Sequence, residues 1–502
     1  MKRALWSGID QFSFSGVSRT WMHLSFLGGY LLLAFWSFLH GAGSLPVLVM
    51  FHFSFLLLTL LAFAGFRSDG YCYLAFFLFL GFWLKWLVHE IFEYPFVEPV
   101  GNYLGEPGQV DVALSIASVA SLGVAASRLL HVYVERRFCA VKPVSAKENI
   151  PSIYSRWFLH IWVIFVLLSF VLYFFNYRFS FFQVGVNARL VLPSGVNAIA
   201  AWLVCCGMPM IFSLLLDWEI SRKPDRYWPA IYGVCIFALI MSVSMASRAV
   251  LPFLYLAVGG CLYFHKREYL VRMIALWTWR LPLLMSGFFA FSLILVSAFR
   301  LDTYQPSQPS QSSVTSIIDS ESPSSLSALD VGRAEDMMLY RGTFFQVLRL
   351  GVDRWIGIEG ALAVASSEGQ GISLLMAGLM ERPSAGVDAL YQRISGSFYK
   401  HQEGLTFLTL PGAAAVLFYS GSFSIVFFGM MALASIVFFV ERLAVRMTGS
   451  HLVSSWVALL VANSVCQMNF PYLWGVFILE CCVALLVLGF THKFVIREHS
   501  DE

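Results

Sequence analysis

Between residues 299 and 408 the cationic side chains are almost all arginine. They are Arg300, Arg333, Arg341, Arg349, Arg354, Arg382 and Arg393, with Lys400 the one exception. A planar guanidinium offers paired donors to phosphate oxygens and stays charged when partly desolvated, whereas a solvated face would use lysine at least as often. The segment therefore points to a phosphate-bearing ligand at a surface. Arg248 points the same way from elsewhere in the chain. It sits in SMASRAVLPFL, a turn between two apolar runs, where the N–H groups of the helix that begins there face the same anion. The competing reading is a guanidinium that snorkels to lipid phosphate.

Chemistry at a hydroxyl would also need a proton acceptor. His401 and Glu403, in YKHQEG, immediately precede the return to apolar sequence, and histidine has the pKa closest to neutrality. Glu359, in RWIGIEG, competes with them, and the residues alone leave the three open. Ionisable groups inside apolar runs are expensive and mark function or internal pairing. Lys85, His89, Glu90 and Glu93 cluster near the end of one such run, with Lys85 and His89 one helical turn apart. Lys85 is expected to be neutralised by Glu90 or Glu93. Glu480, in the last run, either pairs with a cation or meets a substrate hydroxyl. His52 and His160, each alone on an apolar helix, read as packing residues. No DxD pair in an exported loop, no GxxxxGK[ST] and no HExxH occurs, so neither a metal nor a nucleotide cofactor is expected.

The elements that hold these residues are membrane helices. With 58% hydrophobic and 13% charged residues and a mean hydropathy of +0.72, the chain lies far outside the soluble range. Twelve stretches approach the roughly 20 apolar residues a span requires: 22–40, 46–66, 71–92, 110–130, 157–176, 196–216, 229–247, 249–264, 281–299, 411–440, 451–468 and 471–491. The tenth is too long for one span and contains Pro411, Gly412, Gly421 and Gly429, so its first part is expected to be a tilted or interfacial segment.

Placing the N-terminus inside puts 21 of the 33 Lys and Arg residues on the inner side. The short loops then obey the positive-inside rule, except those with Arg178, Arg189 and Arg248. Both termini are expected in the cytoplasm. No cleavable leader is expected, because the first apolar run is long enough to span. Three regions follow: helices over 1–298, a large outer loop over 299–408, and helices with a cytoplasmic tail over 409–502. Within the loop, Ser- and Pro-rich residues 305–328 read as a flexible tether. Residues 331–405 read as amphipathic helices lying on the outer face of the bundle. The nine cysteines fall in spans or, for Cys139, in an inner loop, so neither a disulfide framework nor a zinc site is implied. A net charge of +3 reflects anchoring, and no nucleic-acid partner is expected.

In layout the chain resembles the Wzy-type O-antigen polymerases and, more distantly, the O-antigen ligases. Both combine about twelve spans, cytoplasmic ends and one late periplasmic loop. SMASRAVLPFLYL is similar to the family's arginine-containing span junction, and TLPGAAAVLFYSGSFSIVFFG to the span after the large loop. The resemblance implies a metal-independent glycosyltransferase of the bacterial inner membrane. It would join undecaprenyl-pyrophosphate-linked oligosaccharide repeat units, with membrane lipids and a chain-length regulator as further partners. Arg248, Arg341 and Arg354, then Arg300 and Arg393, would contact pyrophosphate, and His401 or a carboxylate would activate the acceptor. Trp355, Tyr391, Tyr399 and Tyr419 would stack on sugars. A ligase differs only in its acceptor; a lipid-linked oligosaccharide flippase would instead line its midplane with charge.

Overall fold

In lipid a chain satisfies its backbone within helices, and helices approach closely where their side chains are small. The computed structural model describes residues 16–63, 68–138, 152–190, 193–304, 351–399 and 407–497, and among these there are helices and no strand. The helices that begin the chain are α1 (Gly16–His40), α2 (Leu45–Phe63), α3 (Asp69–Phe92), α4 (Pro107–Phe138), α5 (Ser152–Phe179) and α6 (Gly195–Arg222). Next come α7 (Pro229–Ser244), α8 (Val250–His265), α9 (Arg267–Trp277) and α10 (Arg280–Tyr304). Four short helices follow in and after the large loop: α11 (Ile358–Ala365), α12 (Ile372–Met380), α13 (Leu390–Ser395) and α14 (Ala413–Phe418). The chain closes with α15 (Phe423–Thr448), α16 (His451–Cys466) and α17 (Pro471–Arg497).

Eight of these are long and apolar enough to cross a bilayer: α2 to α6, α10, α15 and α17. Leu24–His40 of α1, together with α7, α8 and α16, are shorter apolar helices. The protein is thus an all-α multi-pass membrane protein. α3 and α4 run through its centre, while α5 and α10 turn Leu159, Ile164, Phe170, Leu283 and Ile294 outward. The central packing follows from side-chain size. Ala113, Ala117, Ser118, Ala120 and Ser121 of α4 are fully buried, and a Cβ on Gly123 would collide with the Phe427 carbonyl of α15.

The stretch 411–440 is two helices. α14 is buried in the bundle and the chain reverses at Gly421, whose φ of +68° suits glycine. Its first part is a short buried helix, where a tilted or interfacial segment was expected. The large loop departs further from its expected surface position. α11 is buried on every side, with Ile358, Ala361, Leu362, Ala363 and Val364 at 0% exposure. It packs on α4, α13 and α14. Three glycines permit this insertion. A Cβ on Gly81 would strike the Ile356 carbonyl, one on Gly357 the Gly81 carbonyl, and one on Gly360 the Pro411 carbonyl. α12, by contrast, is two-faced, with Leu375 and Gly378 inward and Ile372, Met376 and Met380 exposed.

Candidate functional site

α3 loses regular α-geometry over Phe79–Leu84, where it widens into a π-turn, and resumes it at Lys85. Such turns recur at functional sites because they re-aim the side chains beyond them. Here the turn presents Gly81 to the inserted loop and aims Lys85 and His89 at it.

Lys85, at 1% exposure, forms an ion pair with Glu359. It also donates to the carbonyls of Asp353 (3.1 Å) and Trp355 (2.9 Å). An ammonium has three donors, and all three are engaged by residues 353–359. Isolated, either charge would be prohibitively expensive at this depth. Together they fasten the loop to α3. His89 repeats the arrangement one turn on. Its Nδ1 donates to the Tyr94 carbonyl (2.9 Å), and its Nε2 lies 2.9 Å from Asp353 Oδ1. The rings of Phe76 and Phe77 then hold Trp355, and Phe77 also meets Phe253 of α8.

The more exposed edge of this floor, its mouth, consists of Glu98 and Tyr399, each partly buried, and the exposed Arg354. Glu98 belongs to the connection between α3 and α4, which is sewn to the loop by Gly101 N donating to the Ser395 carbonyl (2.9 Å). The Tyr399 hydroxyl is 3.5 Å from Glu98 Oε1. Oε2 of Glu98 is buried and takes no hydrogen bond among the described residues. Its carboxyl is held above the ordinary carboxylate range, first by burial and then by the nearby charge of Glu359, against the pull of Lys85 and Arg354. Burial and then the Glu98 charge likewise raise the Tyr399 phenol. Arg354 is exposed, and its positive charge acts on both Glu98 and Tyr399.

The structure brings together only part of the set expected from sequence. Glu359 and Arg354 belong to the cluster, one in its floor and one at its mouth. Lys85 pairs with Glu359, where Glu90 or Glu93 was expected. Five residues on, Glu90 emerges about 140° around the helix. There it accepts from Ser37 Oγ (3.1 Å) and Ala42 N (3.2 Å). Arg248 is partly buried in the turn before α8, the helix whose Phe253 reaches Phe77. Arg393 is exposed on α13. Tyr391 and Tyr419 are each 2% exposed, and Tyr419 packs on Gly378, so neither offers the open ring face expected for sugar stacking. Glu480 is partly buried on α17 and takes no part in the cluster. His401, Glu403 and Arg341 lie outside the described residues, as does the side chain of Arg300.

Glu98 was missed from sequence. The available signal was a carboxylate between Phe96 and Pro99 in a connection without a single Lys or Arg. The arrangement supports proton acceptance by Glu98 beside an accessible guanidinium. No protein-family model, curated protein or solved structure matches the chain.

Proposed function

We propose that this protein is a membrane glycosyltransferase of the O-antigen polymerase type, which transfers a polyprenyl-pyrophosphate-linked glycan onto the hydroxyl of a second lipid-linked repeat unit. In this reading the chain crosses the bacterial inner membrane twelve times, with both termini cytoplasmic and the large loop periplasmic. The observation that supports it most is a carboxylate with one oxygen left without a hydrogen bond among the described residues, Glu98, under the electrostatic influence of the exposed Arg354 and of a buried ionic floor. Glu98 accepts the proton of the attacking hydroxyl, and a raised pKa makes it a better base than an ordinary carboxylate. The C–O bond to the pyrophosphate breaks as the new glycosidic bond forms. Arg354 and Arg248 stabilise the departing pyrophosphate, which carries its charge away without needing a new proton. Lys85 and Glu359 position the loop and stay out of the reaction. A chain-length regulator would act on the same loop face.

The test is the surface polysaccharide of a deletion strain, displayed on a silver-stained gel and complemented at matched expression with wild type, Glu98→Gln or Arg354→Ala. Core with a single repeat unit in the deletion, and a ladder restored by wild type but not by Glu98→Gln, is the expected result. Bare core in the deletion would assign the activity to ligation or export. An unchanged ladder would reject the reading for that glycan.

A further inference from the structure

At the end of the bundle opposite the Glu98 mouth lies a cavity of about 490 Å³ between the end of α6 and the start of α9. Its wall contains Lys266, Arg267 and Arg272, with Ser221, Glu268 and Tyr269 among the other lining residues. One of these cations, Lys266, is anchored from α6. Lys266 Nζ is 2.6 Å from Asp217 and donates to Ser221 Oγ (2.9 Å), while Asp217 accepts from Ser450 Oγ (2.5 Å). The Tyr269 hydroxyl donates to the Arg226 carbonyl (3.1 Å), which fixes the first turn of α9 on the α6–α7 connection.

α9 also carries an apolar surface that the bundle does not use. Tyr269 and Met273 are buried, whereas Ile274 (47%), Leu276 (57%) and the following Trp279 (65%) are exposed. An arc of charge over Arg267, Glu268 and Arg272, exposed aliphatic groups bordering it on either side at Ile274 and Leu276, and a tryptophan after the end are the marks of a helix lying in a membrane interface. A water-soluble anion would use the cations and leave the apolar flank idle. A phospholipid uses both.

We infer that the cavity between α6 and α9 is a binding site for an anionic phospholipid, with its phosphodiester held by Arg267, Arg272 and the anchored Lys266 and its acyl chains along Ile274, Leu276 and Trp279. Basic recesses between membrane helices take such headgroups where the neighbouring surface accepts the chains. This inference is independent of the glycosyltransferase reading, since the site lies at the other end of the molecule and requires no reaction.

The full-length protein, purified in detergent, is titrated with phosphatidylglycerol or with phosphatidylcholine, and bound lipid is counted by native mass spectrometry. Wild type is expected to retain phosphatidylglycerol at least tenfold more tightly than phosphatidylcholine, and Arg267→Gln/Arg272→Gln to lose that preference. Equal retention of phosphatidylglycerol by wild type and variant would overturn the site. A second arm uses wild type alone, so it does not depend on how the variant folds. Glycerol phosphate is added to the phosphatidylglycerol complex, and it is expected not to displace the lipid at equal concentration. Displacement there would assign the cavity to a soluble phosphate and overturn the lipid proposal.

Discussion

Helix α3 carries a buried ionic network at each end, and the two are built for different work. At the Asp69 end the partners are helix ends. Glu441 accepts from Ser68 Oγ (2.7 Å), Asp69 N (3.0 Å) and Gly70 N (3.1 Å), which caps α3 from α15. Asp69 lies 3.2 Å from His265, whose ring stacks on His451, and Asp217 accepts from Ser450, the residue that caps α16. Every one of these groups belongs to a membrane helix or its first turn. At the Lys85 end the partners are carbonyls and carboxylates of the large loop, hundreds of residues away in sequence. One network closes helices against each other, and the other mounts a loop on them beside a buried Glu98 oxygen that takes no hydrogen bond among the described residues. Buried charge in a membrane protein is therefore informative through its partner's identity more than through its depth.

Removing Lys85 should give the largest effect. Lys85→Met leaves Glu359 buried without a counter-charge, which costs about 3–5 kcal/mol in comparable buried pairs, and it also releases the loop turn held at Asp353 and Trp355. Denaturant or thermal unfolding in detergent is expected to show that loss, and Lys85→Met/Glu359→Leu to recover most of it. Lys266→Met at the other end is expected to cost less than half as much, because Asp217 keeps the Ser450 hydroxyl and the pair is more exposed. Equal losses would remove the distinction between the two networks.

Glu98→Gln separates chemistry from assembly. Loss of a general base typically costs about 10²–10⁴-fold in rate, and glycan transfer by the purified protein is expected to fall by that much while the unfolding midpoint stays unchanged. A parallel fall in stability would make Glu98 a structural residue. Protonated Glu98 cannot accept a proton, so wild-type activity is expected to rise with pH through the raised Glu98 pKa. That acidic limb should be missing from whatever activity the glutamine variant retains.

Seating of the loop should be less sensitive, but still measurable. Gly81→Val places methyl groups where the Ile356 carbonyl sits, and overpacking of this kind costs about 1–3 kcal/mol. Faster cleavage within residues 351–399 by added protease is the expected readout. Gly105→Val, at an open position with nothing near its Cβ, offers a contrast only in sterics, since its φ of +79° carries a strain of its own. Gly475→Val, in open space on α17, is the cleaner control and is expected to leave cleavage unchanged.

The long helices were legible because an apolar run of span length names itself by length and composition: eight of the twelve expected runs coincide with helices long and apolar enough to cross a bilayer. The site was legible in its parts and opaque in its assembly. Arg354 stood out as one of the loop's arginines and Glu359 as a competing proton acceptor, and Lys85 and His89 as charges within an apolar run. Nothing local joined them, because the connection is made by close backbone approach at Gly81, Gly357 and Gly360, and a glycine gives no sign in sequence of what it lets near. The same gap explains α11. Its small residues read as one flank of an amphipathic helix until the Pro411 carbonyl is seen against Gly360. Glu98 escaped because its chemistry comes from surroundings supplied by the loop, with its own segment contributing only Phe96 and Pro99.

The smallest effect tests the electrostatics of the mouth alone. Arg354 is exposed and lowers the Glu98 pKa only against larger opposing influences, so Arg354→Ala should shift the acidic limb of the pH–rate profile toward higher pH. The sign is fixed: removal of a nearby positive charge makes the carboxylate harder to form, so a higher pH is needed to reach the active base. Arg354→Lys keeps the charge and is expected to leave the limb in place, while losing the paired donors that suit pyrophosphate and so raising the KM for the lipid-linked donor. Asp217→Asn, in the network at the far end, is expected to move neither the limb nor the KM. If Arg354→Ala left the limb fixed while Asp217→Asn moved it, the chemistry would belong to the helix-closing end of α3 and the assignment of roles to the two networks would be reversed.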